Sequence, residues 1–314
     1  MIGEEIPRLS DLCRAFSGYP TGQGYRDVLV PWIPNVLRVL RDLEPYRGLN
    51  TRGNDYPVHH DDLHQWYALS RLHDHLILDF QKGEDFYGAD PQQDGERRDW
   101  MARTGAASGP VAMASPDQYL EFFLALGFEP FDFLPYCPFR HEIVEVVEDP
   151  TWTGEAVVEH TFWPGWMFGE MLFARAGVRL RCAPDSINKK IAEDSRLYFT
   201  YWRVRRNASD LSHGWGSNSQ WATSFRRDYD SGGYYHFNVD GKHPLGDGSE
   251  YAASFAPDRW KMHTEWEGEL GDDALTMEER IELLVNRCFV RCDKSDDDRW
   301  PYDDTYTSIH QKSL

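Results

Sequence analysis

The sequence predicts an α+β fold in which N-terminal helices pack on a mostly antiparallel β-sheet or partly closed barrel, followed by one late C-terminal helix. Two observations carry this. Apolar residues recur at helical spacing before residue 128, whereas from Glu142 onward the pattern shortens to the period of two that a strand requires. A third observation makes the fold feasible: 41% of the 314 residues are hydrophobic, enough to fill a core of this size.

The first helix is expected from Pro31, which suits a helix start, to Glu44, with Ile33, Val36, Leu37, Val39, Leu40 and Leu43 as its apolar face. A longer one is expected from Asp61 to Gln81, where Leu63, Trp66, Leu69, Leu72, Leu76, Ile77 and Phe80 share one side. The polar, small-residue stretch between Asp90 and Ser115 reads as a loop or boundary. Ser115 and Gln118 then form a capping box for a short helix through Leu126, stopped by Gly127. The proline-rich segment Phe128 to Glu142 reads as a rigid connector that packs Phe131, Phe133 and Tyr136 on the sheet.

Strand-like runs follow at Glu142 to Glu148, Glu155 to Phe162, Met171 to Cys182, Leu197 to Arg205, Ser219 to Tyr229 and Tyr234 to Val239, a spacing that favours an antiparallel meander. The late helix is expected from Thr276 to Cys292, again with a capping box, Thr276 and Glu279. This gives a mainly helical region 1–127, a β-rich region 128–292 and an acidic tail 293–314, which together can form one integrated domain.

The net charge of −19 argues against general nucleic-acid binding, since phosphate backbones are repelled. No stretch approaches the length of a membrane span, no leader-like pattern follows Met1, and the five cysteines are scattered, so a cytoplasmic protein with reduced, mostly packed thiols is expected. The charge is uneven. From Arg175 to Arg227 there are eleven basic and four acidic residues, which marks either an anion-binding site or a segment neutralised by acids elsewhere in the chain.

The densest polar and aromatic segment, Ser212 to Gly241, lies next to that basic stretch. Gly214 and Gly216 bracket Trp215 in a tight loop that also carries His213, Asn218 and Gln220, a grouping suited to ligand contact at a strand end. Matching the polar faces of the two following strands predicts a three-residue turn, Ser231-Gly232-Gly233. That register sets Asp228 opposite His236 and Arg226 opposite Asn238. Asp228 would then orient the His236 imidazole as a general base, His213 being the other proton-transfer candidate, while Arg203, Arg205 and Arg226 hold negative charge. The competing reading is a solvated sheet face whose cross-strand pairs only stabilise the hairpin.

Other motifs carry less. His60 and His64 stand one helical turn apart and share a polar face with Arg71 and His75, which favours a solvated stripe over a metal site; His73 falls among the leucines and reads as a hydrogen-bonded core residue. A P-loop, a dinucleotide-binding glycine fingerprint and a Gly-x-Ser-x-Gly elbow are all missing from the sequence, so no cofactor or metal is expected.

Two functional readings remain open, and the sequence does not separate enzyme from binder. In the first, the β-rich region binds a small anionic ligand in an Arg-, His- and Trp-lined pocket and acts on it by acid/base chemistry. In the second, the chain is an acidic interaction protein, such as an inhibitor or immunity-type protein, that neutralises a basic protein partner. Arginines consumed in internal ion pairs would favour the second. The oligomeric state is not legible.

Overall fold

The computed structural model describes residues 7–17, 23–49, 60–77, 114–131, 135–184, 186–187, 225, 227–239, 243–244 and 306–312. Among the described residues four α-helices precede the strands: α1 (Leu9–Ser17), α2 (Val30–Asp42), α3 (His60–Ile77) and α4 (Pro116–Ala125). The spacing argument thus holds for α2 and α3 and the capping-box argument for α4, while α1 carries no such expectation. A widened π turn, Tyr25–Leu29, leads directly into α2, whose Pro31 and Pro34 supply no amide hydrogens to the first turns. At α4 the capping box forms in full, with the Ser115 hydroxyl accepting from the Gln118 amide and the Gln118 side chain accepting from the Ser115 amide.

Ten strands follow among the described residues: β1 (Glu129–Phe131), β2 (His141–Glu148), β3 (Val157–Trp163), β4 (Gly165–Phe168), β5 (Met171–Ala174), β6 (Ala176–Cys182), β7 (Asp228–Ser231), β8 (Tyr234–Phe237), β9 (His243–Pro244) and β10 (Tyr306–Gln311). Six of them, in the order β1-β4-β5-β7-β8-β10, form an antiparallel sheet, and the two-residue β9 pairs parallel to the start of β10. The second sheet is mixed, β2-β6-β3, with β2 parallel and β3 antiparallel to β6.

Several expectations change here. Both sheets run open from edge to edge among the described residues, so no closed barrel forms. The meander is interrupted by the parallel β2–β6 pair. The single run Met171 to Cys182 is two strands in different sheets, broken at Arg175, and β1 lies within the supposed connector. The end of the tail is strand β10, paired to β8 through Ser308 to Gln311. The predicted strand at 197–205, the late helix at 276–292 and the 90–113 boundary lie outside the described residues.

Strand alternation turns the larger sheet into the middle of three layers. Trp166, Phe168, Met171, Phe173 and Tyr229 face the helices, whereas Met167, Leu172 and Phe237 face Val178, Leu180 and Cys182 of the second sheet. The helical side is strongly aromatic. Trp66 of α3, fully buried, meets the rings of Tyr46, Phe128, Phe168, Phe173 and Phe225 at centroid distances of 5.0 to 6.4 Å. Tyr119, Phe122, Phe123 and Leu126 give α4 its buried face at i, i+3, i+4 and i+7. His73 is a core residue, as its place among the leucines predicts: its Nε2 lies 3.0 Å from the Tyr119 hydroxyl, which also accepts from Trp166 Nε1 at 2.6 Å. No helix among the described residues is long and apolar enough to cross a membrane.

Candidate functional site

The β7–β8 hairpin fixes where the expected site residues fall, and its register differs from the expected one. Gly232 and Gly233 alone form the turn, with φ of 60° and 83°. Two consecutive left-handed residues match the twist of the flanking strands, a conformation that glycine takes without the penalty a Cβ brings. Ser231 therefore pairs with Tyr234, Asp230 with Tyr235, and Tyr229 with His236. A one-residue change of register moves side chains to the opposite face, so Asp228 and His236 do not form the orienting pair the sequence suggested.

Asp228 points instead to the inter-sheet side and is 1% exposed. Its Oδ2 accepts from the Arg175 guanidinium at 2.9 Å, and its Oδ1 accepts from the Asn238 amide at 2.8 Å. Asn238, expected on an open polar face, is buried and ends β8 with φ 51°, in the left-handed region that asparagine tolerates best after glycine. His236 is half-buried, with its ring 6.4 Å from that of Tyr234. The acids thus sit on the same face as Tyr235 and Phe237, because Arg140, just before β2, and Arg175, at the β5–β6 junction, neutralise them there. Arg203, Arg205, His213, Trp215, Asn218, Gln220 and Arg226 lie outside the described residues.

A polar cluster that sequence reasoning missed occupies one end of the seam between the sheets. Asp230, with its side chain 9% exposed, binds Arg140 at the start of β2 and Lys312 just after β10. Tyr235 lies beside this node, its ring stacked on Phe139 at 4.5 Å and its hydroxyl 3.4 Å from the Cys137 thiol, which donates to it. Burial pushes the Tyr235 phenol well above its ordinary value, so it stays protonated. These residues come from positions about a hundred apart in the chain, so no local motif could announce them.

His141 adjoins the cluster and is fully buried. Its Nδ1 accepts from the Cys137 amide at 2.9 Å, and its ring packs between Tyr136 and Phe131. Desolvation lowers its pKa to about 4, aided by the neighbouring Arg140 and opposed by the Cys137 carbonyl 3.1 Å away. The imidazole is neutral at pH 7.

The outer face of the second sheet shows where Arg179 and Arg181, from the start of the basic segment, find their partners. Arg179 on β6 binds Glu145 of β2 at 2.7 Å, and Arg181 reaches both Asp149, at 3.8 Å, and Glu159. With Arg175 on Asp228, all three arginines from the start of the segment are paired to carboxylates of other elements. The balance at this end of the sheet is acidic: besides Asp149 and Glu159 on Arg181, Glu148 ends β2 and the exposed Glu155 precedes β3, in the same stretch as the half-buried Trp152, whose indole donates to the Glu155 carbonyl, and the exposed Val157. Asp149 is held below its usual carboxyl range mainly by the Thr151 hydroxyl and amide, and then by Arg181. Among the described residues no group of three or more His, Cys, Asp or Glu is placed to hold a metal ion. In comparisons with known proteins, the chain matches no family model, and neither the curated proteins nor the solved structures give a significant match.

Proposed function

We propose that the protein is an acidic interaction protein that binds a basic protein partner, in the manner of an inhibitor or immunity-type protein. The observation that carries this reading is the internal pairing of Arg175, Arg179 and Arg181, which takes these cations out of any anion-binding role. The chain as a whole keeps a net charge of −19, and at the end of the second sheet Arg181 is held by Asp149 and Glu159 while Glu148 and Glu155 lie exposed in the same stretch as Trp152 and Val157. Negative potential of this kind steers a basic partner toward the surface, and the aromatic and aliphatic side chains give the contact apolar area once the two meet. The acid/base reading loses the Asp228–His236 pair on which its chemistry depended.

The experiment is affinity isolation with the tagged full chain at low ionic strength, followed by binding of the purified partner to wild type and to Glu148→Lys/Glu155→Lys. The expected partner is basic, and the charge reversal slows association by roughly tenfold or more. A neutral or acidic partner, or an association rate untouched by the reversal, contradicts the assignment of this surface.

A further inference from the structure

We propose that the seam cluster is a binding site for a small oxyanion, a phosphate, sulfate or carboxylate group, held by Arg140, Lys312 and Tyr235. Both cations bind a single carboxylate, Asp230, so the node carries one positive charge in excess within a strongly acidic protein. The exposure gradient places that excess outward: the Asp230 side chain is 9% exposed, those of Arg140 and Lys312 are 27% and 33%. An ion pair alone accounts for one of the cations, not for both.

Donor geometry points the same way. Arg140 Nε is buried and has no hydrogen-bond partner among the described residues. Tyr235 accepts from the Cys137 thiol, which leaves its own hydroxyl hydrogen to donate elsewhere, and both Arg140 and Asp230 are near enough to act on the phenol electrostatically. Lys312 Nζ lies 5.3 Å from the centre of the Tyr235 ring, and that ring is fixed by its 16° stack on Phe139. A guanidinium N–H, an ammonium and a phenol on a rigid support suit a compact anion with several acceptor oxygens; charge-assisted bonds of this type are about twice as strong as neutral ones. The half-buried setting favours a small group over an extended polyanion.

The test uses inorganic phosphate with the full-length protein, at ionic strength held constant with sodium chloride, read by thermal shift and by titration calorimetry. Wild type is expected to show a saturable rise in Tm and a measurable Kd. Lys312→Gln and Tyr235→Phe should each weaken the Kd, by roughly tenfold for the charged contact. Tyr235→Phe keeps the ring and its stack on Phe139, so it remains decisive if Lys312→Gln does not fold. No rise in Tm, a rise that does not saturate and is equal in all three proteins, or a Kd unchanged in Tyr235→Phe would overturn the proposal.

Discussion

Replacing Asp228 with asparagine keeps the shape of the side chain but removes the charge that Arg175 faces. The carboxylate is 2% exposed and the guanidinium 10% exposed, so solvent cannot take over the lost interaction. Breaking a buried pair at one partner costs about 3–5 kcal/mol, mostly from the charge left behind. Asparagine still offers an oxygen to the Asn238 amide, whereas Asp228→Ala removes that acceptor as well and adds roughly 1–3 kcal/mol. At about 2–4 °C per kcal/mol, the Asn variant should melt roughly 10 °C below wild type. Urea unfolding followed by tryptophan fluorescence measures the same difference as a lower midpoint with an unchanged slope. The double substitution Arg175→Met/Asp228→Leu should recover much of the loss, because it removes both charges together. By contrast, His236→Gln should cost less than about 1 kcal/mol, since no carboxylate on the neighbouring strand orients that ring. A loss below about 1 kcal/mol in Asp228→Asn, or an equal loss in His236→Gln, would refute the reasoning from register and burial.

Three further outcomes follow from the core and the seam. His141 has a folded pKa of about 4, below the value of 6.5 for an unfolded histidine, so the neutral form belongs to the fold; its contribution is complete above about pH 6.5 and is lost as the pH falls toward 4. The loss amounts to about 3 kcal/mol, and subtracting the stability-versus-pH curve of His141→Gln from that of wild type should isolate it; superimposable curves would contradict the burial argument. Tyr119→Phe removes the acceptor of Trp166 Nε1 and the partner of His73 in a fully buried chain, and should cost roughly 1–3 kcal/mol by chemical denaturation; a neutral result would mean the bonds are dispensable. Gly177→Ala places a Cβ 2.3 Å from the Trp163 ring, and the displaced indole should appear as a shifted tryptophan emission with destabilisation of about 1–3 kcal/mol, against no change if the ring moves freely.

The elements legible in the sequence were those whose signal is local. The capping box at Ser115 and Gln118 and the apolar spacing of α2 and α3 depend on residues within one or two turns, and the structure keeps them. His73 was placed correctly for the same reason, since a helical wheel alone puts it with Leu69, Leu72 and Leu76. What failed depends on distant partners. The choice between a two- and a three-residue turn at Gly232 rested on matching polar faces, which assumed that Asp228 and Asp230 face water; Arg175 and Arg140 instead satisfy them inside. The break at Arg175 was hidden because β5 and β6 are similarly apolar, although they belong to different sheets. The Asp230 node draws on Arg140, Tyr235 and Lys312, three residues with no shared motif. Charge counting leaves internal neutralisation and an anion site both open for the basic segment; the cross-element pairs of Arg175, Arg179 and Arg181 bear on those three residues alone.

The most direct test of the interaction-protein reading is the association rate constant between the full chain and its purified partner, measured by stopped flow at about 10 mM and about 0.5 M ionic strength. Screening shortens the reach of surface charge from about 30 Å to a few ångströms across that range. An acidic chain steered to a basic partner predicts association at least tenfold slower at the higher salt, with a much smaller change in the dissociation rate. An association rate that is the same at both ionic strengths would contradict the account.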